Sequence, residues 1–547
     1  MRDEPPRVPP IMTILELPMR VRQAEALLPA QASAFLAGTT SYEAFRGQRV
    51  PQGLYEQRVP GTYMLRLRLP GGMVTAEQLA GLASLAEAQG CRRLHLTTRE
   101  ALQCHDLPLE AAVAIQQGLP ALGLSARGTG GNTVRNVTAD PLAGVAQDEA
   151  FDVRPWAMAT TRALLEQEAA DHLPRKFKVV FSGSEADRTG AGVADLGFIA
   201  RLQDGAKGFL VLGGGGLGGR PIPAMELLPW IPAAEAPRIA LAMLQLFATH
   251  GDRANKAVAR LRHVRHRLGD ADFGTLCREA IAREPARPVT PPPVLPPVTT
   301  ASGTALPDHL MGVPGIIAQG QPGRFSLRLA PPLGDLPPEA LAAVAWAATQ
   351  WADPVLRSGL DQELWLTGIA GNRLQAVLDA LAGYHLGLPG DRRQRIPACA
   401  GADTCKLGLL RSRPCAAAIA DRLEAEGLHL DGIRISGCPN SCGRHLVAHI
   451  GLQGRVRKVE GRLLPCYEVL QGGRLGAAAS IATRLGTVPA KRIPDLMVAV
   501  ARGGDLATEV ARHAELPTDI PEVWYHDWGD QAPFSLAGLG EGECAAG

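Results

Sequence analysis

Apolar and polar positions alternate through YMLRL at 63–67, with Tyr63, Leu65 and Leu67 on one side, the pattern of a strand packed on one face. A Gly/Pro turn follows, and the Ala/Leu-rich run after it predicts a helix. The same series returns at 323–346, where Phe325, Leu327 and Leu329 share a side before a second turn and a second Ala/Leu helix. The two stretches, GTYMLRLRLPGGMVTAEQLAGLAS and GRFSLRLAPPLGDLPPEALAAVAW, stand a constant 262 residues apart. LHLTT at 94–98 and LWLTG at 364–368 read as a second echoed strand. Strand, helix and strand repeated across a linker predict a duplicated α/β (α+β) protein with pseudo-twofold halves.

A further echo pairs KVVFSGSEADR at 178–188 with GIRISGCPNSC at 432–442, 254 residues on. Ser184 then stands opposite Cys438, and Arg188 opposite Cys442. One shared site between unequal copies, with thiols on one side and polar or basic groups on the other, is the expectation. The break between the halves is the proline run PARPVTPPPVLPPVTTASG at 285–303, where missing donors and fixed φ angles prevent a helix or central strand.

Composition narrows the class. The 547 residues include 56 Lys+Arg against 54 Asp+Glu, a net charge of +2, which points to no nucleic-acid partner. With 46% hydrophobic residues the chain can bury several cores. The opening MRDEPPRVPP lacks the basic-then-apolar order of a secretory signal, and a soluble cytoplasmic protein without a membrane span is expected.

Chemistry gathers in the second half, where CAGADTC at 399–405 is followed by CPNSC at 438–442. Four thiols in two local pairs, with Gly401, Gly437 and Gly443 giving backbone room, suit a [4Fe–4S] cluster. A structural zinc and unrelated core cysteines are the competing readings, although the five residues between Cys399 and Cys405 exceed the usual zinc spacing. Cys91, Cys104, Cys277, Cys415, Cys466 and Cys544 read as core or surface residues.

CAGADTC with GCPNSCGRH resembles the double cysteine signature of the nitrite and sulfite reductases that couple siroheme to a [4Fe–4S] cluster. The resemblance extends through YMLRLRLPGG, LTTREALQ, GNTVRNV, LPRKFK and YEVLQGG, in the family's order, over roughly residues 45–500. It implies ferredoxin-like half-repeats at 45–120 and 306–385 forming one domain, a linker at 285–305, and siroheme/[4Fe–4S]-binding α/β domains at 121–284 and 386–547. It implies that Cys399, Cys405, Cys438 and Cys442 ligate the cluster and that Cys442 also bridges to the siroheme iron. Arg66, Arg135, Lys176 and Lys178 map onto the family's anion pocket, and strand alternation would put both lysines on one face, away from Arg175 and Phe177. Arg99, Gln103, Arg175 and Asn440 map onto siroheme contacts. Two positions depart from the pattern: His95 replaces a basic residue, and Glu100 replaces a glutamine and is expected to be turned away by alternation from Arg99.

The implied activity is six-electron reduction of sulfite to sulfide, with nitrite to ammonia as the alternative. Lys178 favours the more highly charged sulfite, whereas NVTADPLAG at 136–144 resembles the nitrite enzymes. A precorrin-3B synthase-like oxygenase shares the cysteine signature and is a third reading; a non-enzymatic iron–sulfur scaffold is a fourth. The glycine run at 213–219 lacks the context of a dinucleotide site, so electrons are expected from an external donor, ferredoxin by the resemblance. Arg455, Arg457, Lys458 and Arg462 form a candidate docking patch, and a monomer is the working expectation.

Overall fold

The alternating segment forms strand Tyr63–Leu67, antiparallel to Leu102–Leu107 with Leu65 opposite Cys104 and Leu67 opposite Leu102. The structure, a computed structural model, describes residues 14–286, 295–296, 298–391 and 393–536. Residues 287–294 and 297 of the proline-rich tract, the first 13 residues and Cys544 lie outside the described residues.

The repeat is held residue for residue. Helix Ala76–Ala88 is matched by Pro338–Trp351, which keeps the 262-residue offset at its first position. The first helix opens with a capping box, in which the Gln78 N–H donates to Thr75 Oγ1 (3.1 Å) and the Thr75 N–H to Gln78 Oε1 (3.0 Å). The second opens instead with proline, which lacks the N–H that would need a cap. Both preceding turns pass through left-handed backbone, at Gly71 (φ 62°) and at its counterpart Leu333 (φ 56°), so the same turn geometry forms with and without a glycine there.

Each half-repeat builds a five-stranded sheet whose last strand comes from the other half. One runs Leu54–Glu56, Tyr63–Leu67, Leu102–Leu107, Leu94–Leu96 and then Asp335–Leu336; the other runs Ile316–Ala318, Arg324–Leu329, Glu363–Ala370, Val355–Gly359 and then Met73–Thr75. One apolar cluster draws on both copies, including Leu65, Leu79, Leu327 and Leu341. The sheet order corrects one echo. LWLTG lies in Glu363–Ala370, which pairs with Arg324–Leu329 and so matches Leu102–Leu107; the counterpart of LHL is Val355–Gly359. An L-x-L alternation is common to any half-buried strand, and only pairing tells two such strands apart.

The other two sheets also correspond. Val179–Ser182 pairs in parallel with Leu196–Gln203, and Ile433–Ser436 with Ile450–Val459, both at the 254-residue offset. Between these strands the backbone turns left-handed at Asp187 and Gly190, and at their counterparts Ser441 and Arg444. The loop carrying Cys438 and Cys442 therefore has a structural twin, in which Arg188 donates to Asp140 (3.2 Å) and Asp148 (2.8 Å). An ion-pair network occupies one copy and thiols the other.

Candidate active site

Three segments of the first half converge on the thiol loop of the second. Thr98 and Arg99 come from the turn after Leu94–Leu96, Arg175, Lys176 and Lys178 from the segment entering Val179–Ser182, and Arg260, Arg262 and His263 from the start of helix Leu261–Leu268. With Asn440, Ser441, Cys442 and Arg444 they line a cavity of about 440 Å³. Its described lining holds six arginines and three lysines and no carboxylate.

Buried like charges raise one another's energy. Burial, reinforced by Arg99, Lys176 and Arg260, pushes Lys178 well below its ordinary value. Burial takes Arg99 down to about 9, and Arg262 and Arg444 to about 10. Hydrogen bonds to backbone and to Asp195 frame these cations. Buried Asp195 accepts from Arg260 Nη2 (2.9 Å) and from the Lys178 backbone N–H (3.0 Å), while Arg99 Nη2 donates to the Asn136 carbonyl (3.1 Å).

The expected residues divide into groups. Lys176 and Lys178 both line the cavity and flank Phe177, which is buried in the core; they sit in an extended segment just ahead of the strand rather than within it. Arg175 lines the cavity as well and is not turned away from it. Arg66 and Arg135 lie behind, in a narrow cleft that shares Arg99, where each donates to the Thr129 carbonyl at 3.0 and 2.6 Å. Gln103 lies outside both spaces, its Oε1 against His105 Nε2 at 2.9 Å. Glu100 faces away from the cavity for a reason other than strand alternation. It occupies a left-handed turn (φ 51°) and is fully buried, with Oε2 accepting from the Ala139 N–H at 3.1 Å; burial raises it well above the usual carboxylate range. His95 points into the second half, its Nδ1 at 2.7 Å from Asp335.

The cysteine segments lie side by side. The Cys399 N–H donates to Ile435 O (3.2 Å), Gly437 N–H donates to the Cys399 sulfur (3.3 Å), and the Leu409 and Leu410 N–H groups donate to Gly437 O. Cys399, Cys405 and Cys438 are buried, whereas Cys442 is half-buried and reaches the cavity, with Thr98 Oγ1 donating to its carbonyl at 2.6 Å. The glycines make room for neighbouring backbone: a Cβ on Gly437 would sit 2.3 Å from Leu410 O, and one on Gly443 only 1.8 Å from Ile435 O. Cys91, Cys104, Cys277, Cys415 and Cys466 are buried outside the cavity.

Sequence reasoning missed Arg220, Lys256, Arg260, Arg262, His263 and Arg444. RLRHVRHR at 260–267 was the available signal, a basic run that a surface helix could equally carry. NVTADPLAG forms a turn whose Pro141 and Ala143 carbonyls accept from Arg357, outside the cavity. In the candidate docking patch, Arg455 pairs with Glu468 (3.1 Å) and Arg462 with Glu522 (2.5 Å), leaving much of its charge balanced.

The donor set fits a polyanionic tetrapyrrole. Arg99 Nε, Arg262 Nη1, Arg444 Nε, His263 Nε2 and Ser441 Oγ are buried without a hydrogen-bond partner among the described residues, in a cavity where several carboxylates would supply both bonds and counter-charge.

Residues 130–284 match the family model described as nitrite and sulphite reductase 4Fe-4S domain, and residues 55–122 and 317–384 each match the nitrite/sulfite reductase ferredoxin-like half domain. A ferredoxin–nitrite reductase of Synechococcus elongatus is 30% identical over 80% of this chain and 85% of its own length. A sulfite reductase (ferredoxin) of Mycolicibacterium paratuberculosis is also 30% identical, over 80% of this chain and 79% of its own. The solved structure of Mycobacterium tuberculosis NirA protein superposes with a TM-score of 0.75 at 24% identity, covering 89% of this chain and 94% of that one.

Proposed function

The chain belongs to the ferredoxin-dependent nitrite and sulfite reductase family, whose members carry siroheme and a [4Fe–4S] cluster, and from that premise we propose that it reduces sulfite to sulfide by six electrons taken from ferredoxin. The observation that carries this reading is Cys442: of the four motif thiols it alone lines the cation-rich cavity, which Lys176 and Lys178 line too.

When bound, siroheme and the cluster would supply one-electron reduction of the substrate. Cys399, Cys405 and Cys438 would hold the cluster, and the Gly437 N–H, which donates to the Cys399 sulfur, would steady that ligand. Cys442, which lines the cavity, would be the cluster ligand nearest the siroheme. Arg99, Arg175 and Asn440, with Arg262 and Arg444, would bind the carboxylates of the tetrapyrrole. Lys176 and Lys178 hold the oxyanion. Lys178, depressed by burial and by its cationic neighbours, releases a proton more readily than an ordinary lysine, as departure of oxygen as water requires. Arg66 and Arg135 extend the cationic surround through the cleft shared with Arg99.

Nitrite reduction to ammonia is the second reading, and the several relatives named as nitrite reductases favour it. Lys178 weighs for sulfite, because a further cation is worth more to the anion that carries more charge. An anaerobic preparation assayed with reduced viologen should contain siroheme, iron and labile sulfide and should yield one sulfide per six electrons, with kcat/KM higher for sulfite than for nitrite. A higher nitrite value would transfer the assignment to the second reading. Turnover of neither anion, with oxygen-dependent turnover of precorrin, would overturn both.

A further inference from the structure

A cavity of about 620 Å³ lies between the second half-repeat and the thiol-bearing sheet, sharing no lining residue with the first cavity. The repeat offsets identify it. Arg328 and Asp361 are the 262-residue counterparts of Arg66 and Arg99, while His429 and Gly432 are the 254-residue counterparts of Arg175 and Lys178. The second-half face of this cavity is thus the repeat counterpart of part of the proposed active site, with different chemistry. Its described lining holds no cysteine, and Arg188, the counterpart of Cys442, lies outside it. Its four arginines face Asp361, Glu363, Asp391 and Asp431, and that balance disfavours a ligand with many carboxylates.

What remains is a few unanswered donors beside an apolar wall. Arg328 Nε, Arg395 Nη1 and Arg434 Nη1 are buried without a hydrogen-bond partner among the described residues. Asp361 holds Arg434 at 2.5 Å, but Glu363 lies 3.9 Å from Arg328, too far for a hydrogen bond. Arg395 is oriented by donating to the Gly387 carbonyl at 2.8 Å. Pro331, Pro332, Leu333, Pro397 and Ala416 supply the apolar wall. Buried guanidinium N–H groups without acceptors are costly, and one anionic head could answer several of them.

We propose that this second cavity binds a small flat organic anion, a carboxylate or phosphate carried on an apolar ring, with the head on Arg328 and Arg395 and the ring against the proline–alanine wall. Its size lies within the range of ordinary small-molecule sites. The proposal stands whichever anion the first cavity reduces.

The test is calorimetric titration of the full-length holoenzyme with 2-naphthoate and with 1-naphthyl phosphate, using uncharged 2-naphthamide as control. Saturable one-to-one binding of at least one anion is expected, and the stronger of the two identifies the head group. Arg395→Gln, and separately Ala417→Trp, which fills the cavity from a half-buried helix position, should each weaken binding at least tenfold while siroheme content and anion turnover stay at wild-type levels. Absence of saturable binding by both anions, equal binding of the amide, or affinities that both variants leave within twofold of wild type would overturn the proposal.

Discussion

Replacing Lys178 by asparagine removes one cation from a cavity whose remaining charges stay in place. Lys178 is half-buried, its backbone is pinned to Asp195, and it shares the space with Lys176, Arg99 and Arg260, so the substitution acts on charge more than on architecture. At about 4–5 Å and an effective dielectric near 20, two unit charges interact by about 3–4 kcal/mol. Neighbouring cations and entering water recover roughly half, leaving about 1.5–2 kcal/mol for each additional charge on the substrate. Sulfite can carry one more charge than nitrite, so the variant should lose about 10–30-fold more kcat/KM toward sulfite than toward nitrite. Steady-state assays of both anions with the same viologen donor, on preparations matched for siroheme, read this directly. Equal losses for the two anions would refute the role of Lys178 in substrate choice, and a larger loss for nitrite would reverse it.

Other consequences can be measured separately. Cys442→Ser should leave the fold intact but separate heme from cluster, lowering six-electron turnover by at least about a thousandfold; a preparation within about tenfold of wild type would remove Cys442 from the electron path. Arg262→Ala should have opposite effects on two quantities, stabilising the cofactor-free protein by roughly 1 kcal/mol through relief of like-charge crowding while weakening siroheme retention, as followed by thermal denaturation and by absorbance after dialysis. Asp335 joins the halves through His95 and Arg413; burial raises its carboxyl, but these partners outweigh burial and hold it well below the carboxylate range. Its stabilisation is therefore complete above the unfolded value near 4 and is lost as pH falls through the depressed folded value. Asp335→Asn should cost about 2–4 kcal/mol at pH 7 in denaturant titrations, and that difference should shrink below about pH 4.

The repeat was legible because local physics writes it locally. An alternating strand, a tight turn and an Ala/Leu helix each need their own residues at fixed spacing, which is why the 262-residue offset holds from Gly71 and Leu333 through both helix starts. The thiol motif and PRKFK were legible for the same reason, as short segments whose chemistry is carried by their own residues. Strand partnership was not. The echo assigned to LWLTG failed because alternation states that a strand has a buried face and is silent about which strand lies beside it.

Along its length, then, this chain determines its duplicated elements, its four-cysteine signature and the lysine pair that enters the cavity. Tertiary structure alone decided that Met73–Thr75 and Asp335–Leu336 change sheets, that Arg66 and Arg135 stand behind Arg99, and that Arg260, Arg262 and Arg444 join a shared cationic wall. The physical reason is range. Turns and caps are settled between neighbours a few residues apart, whereas a cavity crowded with like charge exists only where distant segments are forced together by the burial of their apolar faces, and its energy appears in no segment taken alone.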